Sequence, residues 1–166
     1  MLRRVRQIGD MVQISYVRQK EQLGLGHAVL MAKELVAHEP FAVILSDDVV
    51  ASERSCIGQL IDAYQRTHAS VVAVMQVPAE ETSRYGVVDP ADRGHDGDDR
   101  LHKVRGLVEK PAPGSAPSDL AIIGRYILTP DIFTALENTA RDAGGEIQLT
   151  NGIRALADKR PVYGYR

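Results

Sequence analysis

A dense apolar run opens residues 41–50, FAVILSDDVV, where Phe41, Val43, Ile44 and Leu45 run without polar alternation and stop at two adjacent carboxylates, Asp47 and Asp48. Such a run predicts a strand buried on both faces, as in a parallel sheet covered by helices. Upstream, residues 12–17 have β character and predict a strand. Leu25, Ala28, Val29, Ala32, Leu35 and Val36 then recur at helical spacing, and Pro40 stops the helix they predict. Between the two lies QKEQLGLG, so the opening unit reads strand, glycine-bearing loop, helix. Ile57, Leu60, Ile61, Tyr64 and His68 predict a second amphipathic helix, followed by a strand at residues 70–77. Strands alternating with helices predict crossover connections, hence an α/β fold with a Rossmann-like, mixed but mostly parallel sheet.

The second half continues the pattern. Residues 85–90 predict a short strand, and the charged segment 92–100, DRGHDGDDR, predicts a solvated hairpin tip. Its His95, Asp96, Asp98 and Asp99 lack the full calcium-loop spacing and the terminal glutamate. A strand at 101–108 delivers Glu109, Lys110 and Pro111, and a Pro/Gly/Ser loop leads to another strand at 120–128. Thr129, Pro130 and Asp131 open a helix carrying Ile132, Phe133, Leu136 and Ala140, which Gly144 and Gly145 are expected to end. Leu149, Ile153, Leu156 and Ala157 mark a last helix, and residues 161–165 a last strand. No internal repeat is visible.

Composition narrows the function class. At 166 residues the chain is expected to be a single domain, residues 1–166. A net charge of -2 gives no basic surface for a nucleic-acid polymer or a membrane, which leaves a small molecule as the expected partner. The one cysteine, Cys56, sits in an apolar helical pattern and reads as a small buried hydrophobe. With no signal-peptide core and no membrane-length apolar run, the cytoplasm is the expected location.

Five short features carry candidate chemistry. Glycine at Gly24 and Gly26 lets backbone amides approach a planar or anionic ligand, although a plain tight turn explains the pair as well. Asp47 or Asp48, at a strand end, could anchor a hard cation that keeps waters and phosphates in its remaining shell, or could be an ordinary turn pair. Glu109 offers acceptors for sugar hydroxyls and Lys110 a point charge for phosphate, although such pairs are common on surfaces. Tyr85 and Gly86 expose backbone that could meet a sugar face. Gly124, inside a strand with Arg125 and Tyr126, could mark a close ligand approach.

Taken in order, GLGHA, the strand ending in SDD, RYGVV, VEKP, SDLAIIGRY and GEIQLTN resemble the sugar nucleotidyltransferase family, over residues 17–165. The nearest pattern within it is that of the bacterial-type UTP:glucose-1-phosphate uridylyltransferases, the UDP-glucose pyrophosphorylases. The resemblance implies a uridylyl transfer from UTP to glucose 1-phosphate, giving UDP-glucose and pyrophosphate, with Mg2+ as cofactor. It implies that Gln19 reads the base edge, Gly24 admits backbone contact to the base, and Asp47 holds magnesium with Asp48 beside it. Tyr85 and Gly86 would contact the sugar, Glu109 would bind glucose hydroxyls, and Lys110 would hold the sugar phosphate.

The chain also departs from that pattern. The family's opening strand with its G-x-G-T-R loop has no counterpart in residues 1–10, which hold only Gly9, and the D-x-G segment that carries the family's second metal aspartate just beyond the last strand is not present. The expectation is therefore a nucleotidyltransferase domain that lacks both pieces and turns over weakly alone. Exposed strand edges would favour a homo-oligomer. Two other readings stay open: a thymidylyl or other sugar-1-phosphate nucleotidyltransferase, and a non-catalytic sugar-nucleotide-binding fragment.

Overall fold

The computed structural model describes residues 7, 9–92 and 94–166. Most of the opening stretch read for a glycine loop, and Arg93 of the hairpin tip, lie outside the described residues. A six-stranded sheet runs in the order β1-β5-β2-β6-β4-β3, with β1 Phe41–Ile44, β2 Ser70–Gln76, β3 Gly86–Pro90, β4 Leu101–Glu109, β5 Leu120–Leu128 and β6 Val162–Tyr165. It curls far enough for Val87 of β3 to bridge Ala121 of β5.

Helices cover both faces. On one side α3, Cys56–Thr67, buries Leu60 and Ala63 against Val71 and Ala73 of β2. On the other, α1 (Leu25–Leu30), α4 (Asp131–Glu137) and α5 (Leu149–Ala157) pack on one another and share a core with Val72 and Val74, α5 lying against β4 and β6. Alternate residues of β2 thus point into opposite cores, which is why Val71, Val72, Ala73 and Val74 are apolar without a break. The Ser55 hydroxyl caps α3 by accepting from the Gly58 amide at 3.1 Å. A left-handed residue, His68 at φ 50, turns the chain out of the helix and into β2.

The expected α/β fold with a mixed, helix-flanked sheet is present, with a different strand arrangement. β1, β2, β3 and β6 share one direction, yet only β2 and β6 pair in parallel, because β5 inserts between β1 and β2 and β4 between β6 and β3. β5 thereby becomes the central strand on which the ends of β1, β2 and β3 meet.

Several elements differ from the sequence pattern. Residues 12–17 form no strand; Ile14 and Tyr16 lie 58% and 91% exposed, and β propensity has no neighbouring strand to act on there among the described residues. The 25–36 helix is two short pieces, α1 and then α2 (Lys33–Val36). The run at 41–50 is a strand only through Ile44 and alternates half-buried with exposed, because β1 has β5 on one edge and no strand on the other among the described residues. Asp47 and Asp48 therefore sit in the turn beyond it. α4 ends at Glu137, well before Gly144, and residues 138–148 form a loop. The 92–100 turn is docked: Arg66 donates to Asp98 at 2.8 Å, and the rings of His95 and Tyr163 lie 4.9 Å apart.

Candidate functional site

Hairpin register builds the first half of the site. Gly86 of β3 lies opposite Glu109 of β4, and the Lys110 amide donates to the Tyr85 carbonyl at 3.0 Å. Two dipeptides far apart in sequence thus become one rim. Lys110 takes a left-handed conformation at φ 44, an uncommon one for a lysine that ends the strand. A Cβ on Gly86 would meet the Thr150 hydroxyl at 2.7 Å and Glu109 Oε2 at 3.1 Å. Glycine at this position keeps the floor between those oxygens open.

The turn after β1 builds the second half. Asp48 Oδ2 accepts from the Gly124 amide at 2.6 Å, and the Arg125 guanidinium donates to the carbonyls of Leu45 at 2.9 Å and of Asp48. A Cβ on Gly124 would meet Leu45 Cβ at 2.7 Å. The close approach at Gly124 is therefore that of the chain's own turn, not of a ligand. Asp47 is exposed and makes no hydrogen bond or ion pair with the described residues.

Together these halves enclose a crevice of about 380 Å³. It brings together Asp47, Asp48, Tyr85, Gly86, Glu109 and Lys110, joined by Arg84, Gly124, Tyr126, Gln148 and Thr150. A second recess of about 340 Å³ shares Glu109, Lys110 and Gln148 with it and adds Asp142, Asn151 and Arg154. The Tyr126 phenol is driven well above its ordinary range by burial and then by the Glu109 and Asp48 carboxylates.

Gln19 and Gly24 stand beside this crevice as a separate unit. Gln19 Nε2 donates to the Gly24 carbonyl at 3.1 Å and lies 2.8 Å from His27 Nδ1. Gly24 precedes α1 at φ 89, where a Cβ would meet Glu146 Cβ at 2.8 Å. The Gly26 amide donates to the Ile147 carbonyl at 2.8 Å, and the Ile147 amide to that of Leu23 at 2.7 Å, so the glycine turn is braced on the 138–148 loop.

Sequence reasoning gave no role to Gln148, Thr150, Tyr126 or Asp142. GEIQLTN and GRY were legible as motifs, but only the packing of α5 and β5 shows which of their side chains reach the crevice. Asp142 is held below the ordinary carboxylate range, first by the Gln148 amide group and then by backbone amides such as that of Glu146. A larger, mainly apolar recess of about 430 Å³ runs past Cys56, Ala73, Met75, Ile123 and Tyr165 and holds none of the candidate residues. Burial pushes the Cys56 thiol up, which suits a packing residue rather than a nucleophile.

The carboxylates fit a hard divalent cation of the oxygen-liganded kind. Asp47 has both oxygens open, whereas Asp48 has one committed to Gly124. Among the described residues no cluster of three or more His, Cys, Asp or Glu could hold a metal by itself, so phosphate and water oxygens would complete such a shell. No helix among the described residues is long and apolar enough to cross a membrane.

A mixed sheet flanked by helices, with carboxylates, a lysine and glycines gathered at the strand ends, is the arrangement of a nucleotidyltransferase, and the chain belongs to the nucleotidyl transferase family, whose pattern matches residues 1–165. It is 49% identical over 165 residues to the UTP--glucose-1-phosphate uridylyltransferase of Staphylococcus epidermidis, covering 99% of this chain and 56% of that protein. The Bacillus subtilis protein of the same name is 47% identical, over 99% of this chain and 55% of its own length. Among solved structures, a UDP-glucose pyrophosphorylase complexed with UDP-glucose superposes with a TM-score of 0.90 at 41% identity, over 99% of this chain and 62% of the other. The chain thus spans a little over half the length of the curated relatives it matches.

Proposed function

We propose that the crevice takes UTP and glucose 1-phosphate and carries the transfer of a uridylyl group between them, giving UDP-glucose and pyrophosphate. The observation that supports this reading most is the convergence of Asp47, Tyr85, Gly86, Glu109 and Lys110 on one crevice. Glu109 would accept from glucose hydroxyls, with Tyr85 and Gly86 against the sugar face, and Lys110 would hold the sugar phosphate. Gln19 and Gly24 would read the uracil edge.

A phosphate oxygen of glucose 1-phosphate attacks the α-phosphorus of UTP, the new P–O bond forms as the bond to pyrophosphate breaks, and pyrophosphate leaves. Lys110 orients the attacking phosphate, and no covalent enzyme intermediate is needed. Magnesium, held by Asp47, would neutralise charge on the triphosphate. Residues 1–166 would act as one such domain, in the cytoplasm.

Isothermal titration of this chain with UDP-glucose and magnesium tests the reading. Saturable binding that Lys110→Met weakens at least tenfold is expected; no heat at millimolar ligand would sink it. Competition between UTP and dTTP separates uridylyl from thymidylyl preference.

A further inference from the structure

Gln148 stands where the two recesses meet, on a wall shared with Glu109 and Lys110. Its Nε2 donates to Asp142 Oδ2 at 2.8 Å and to Glu146 Oε2 at 2.9 Å. The two ends of a primary amide have the same shape, and here the chemistry chooses between them. Carboxylates accept and never donate when ionised, so only the NH2 end can face both. Asp142 is itself fixed, its Oδ1 accepting from the amides of Gly144 and Glu146 at 2.9 Å each. Both Nε2 hydrogens are then used, and Oε1 has no partner among the described residues.

We infer that Gln148 is a specificity-determining residue whose Oε1 accepts the proton of a hydroxyl on the ligand's sugar ring, with Asp142 and Glu146 as the positioning residues that hold its amide in that sense. The inference rests on the sugar-nucleotide reading above. It makes the crevice a paired acceptor: Glu109 on one strand end and Gln148 on the facing loop both address hydroxyl donors. A sugar lacking the hydroxyl that Oε1 reads would leave the Gln148 carbonyl unpaired in a half-buried wall, which costs more than the bond alone is worth.

The test is a matrix of affinities measured by calorimetry. UDP-glucose and its 2-, 3-, 4- and 6-deoxyglucose analogues are titrated into the wild-type chain and into Gln148→Met. Wild type is expected to lose about tenfold in affinity for one analogue beyond the losses that Glu109→Gln accounts for. Gln148→Met should bind UDP-glucose about tenfold more weakly and show no further loss for that same analogue. Asp142→Asn, which sets an NH2 group against Gln148, should reproduce the flattened profile in part.

Unchanged discrimination in Gln148→Met, or losses that add independently for every analogue, would overturn the inference while leaving UDP-glucose binding intact. Failure of wild type to bind UDP-glucose would overturn the inference together with the reading beneath it. A measurement on wild type alone guards against a misfolded variant: the Gln148 side-chain 15N–H2 resonances should keep their carboxylate-bonded shift when UDP-glucose is added. Release of that shift would mean the amide turns over to donate, and the assignment would be wrong.

Discussion

Asp48 accepts the backbone amide of Gly124 at 2.6 Å, so of two adjacent carboxylates one is spent on holding β1 to β5 while its neighbour Asp47 is left open at the crevice rim. The division follows from where the turn falls. Beyond Ile44 the chain leaves the ladder, Leu45 still donates to the Gly124 carbonyl at 2.9 Å, and the next polar side chain able to reach the Gly124 amide is that of Asp48.

Asp48→Ala should therefore cost stability, on the order of 1.5–3 kcal/mol for an amide that loses a charged acceptor. Asp47→Ala should stay within about 0.5 kcal/mol of wild type, as for an exposed side chain without partners. Urea unfolding separates them. Magnesium-dependent enhancement of UDP-glucose binding should show the reverse order, with Asp47→Ala losing it.

Gly24 holds φ 89 and ψ 174, a region that side chains all but exclude, and a Cβ there would lie 2.9 Å from the Ile147 carbonyl oxygen. Gly24→Ala should destabilise by about 1–3 kcal/mol. Because the strain would push the glycine turn off its brace, hydrogen exchange at the Gly26 and Ile147 amides should quicken more than exchange in β2.

At Gly86 the backbone is not strained, and the obstacle is the side chains across the floor, Thr150 and Glu109. Gly86→Ala should melt close to wild type yet bind UDP-glucose at least tenfold more weakly, since a methyl displaces the oxygens addressed to the ligand. Equal affinity in calorimetry would remove Gly86 and its neighbours from the sugar site.

Asp142 sets a pH dependence. Its carboxyl is held below the ordinary value by Gln148 first, and by the amides of Glu146 and Gly144. A folded-state pKa below the unfolded one, about 3.9, means that the stabilisation is fully present above that value and is lost as pH falls through the lower, folded one. Thermal melts of wild type and Asp142→Asn should run nearly parallel from pH 7 to 5 and converge below pH 4. A constant gap down to pH 2.5 would contradict the linkage.

Much of this protein was determined by local pattern. Apolar runs placed β2 and β5 within a residue of their ends, the periodicity of Ile57, Leu60, Ile61 and Tyr64 placed α3, and the ordered motifs named the crevice residues Asp47, Tyr85, Gly86, Glu109 and Lys110. These are properties of the nearest neighbours in sequence, through spacing, capping and turn chemistry. Pairing is not such a property. That β5 inserts between β1 and β2, that residues 12–17 join no strand among the described residues, and that 138–148 is a loop braced on the glycine turn depend on contacts across long separations. The same holds for the two decisions that matter most at the site. Which of Asp47 and Asp48 stays open rests on a hydrogen bond spanning from the turn after β1 to β5, and the orientation of Gln148 rests on two carboxylates that only the folded loop brings to one amide.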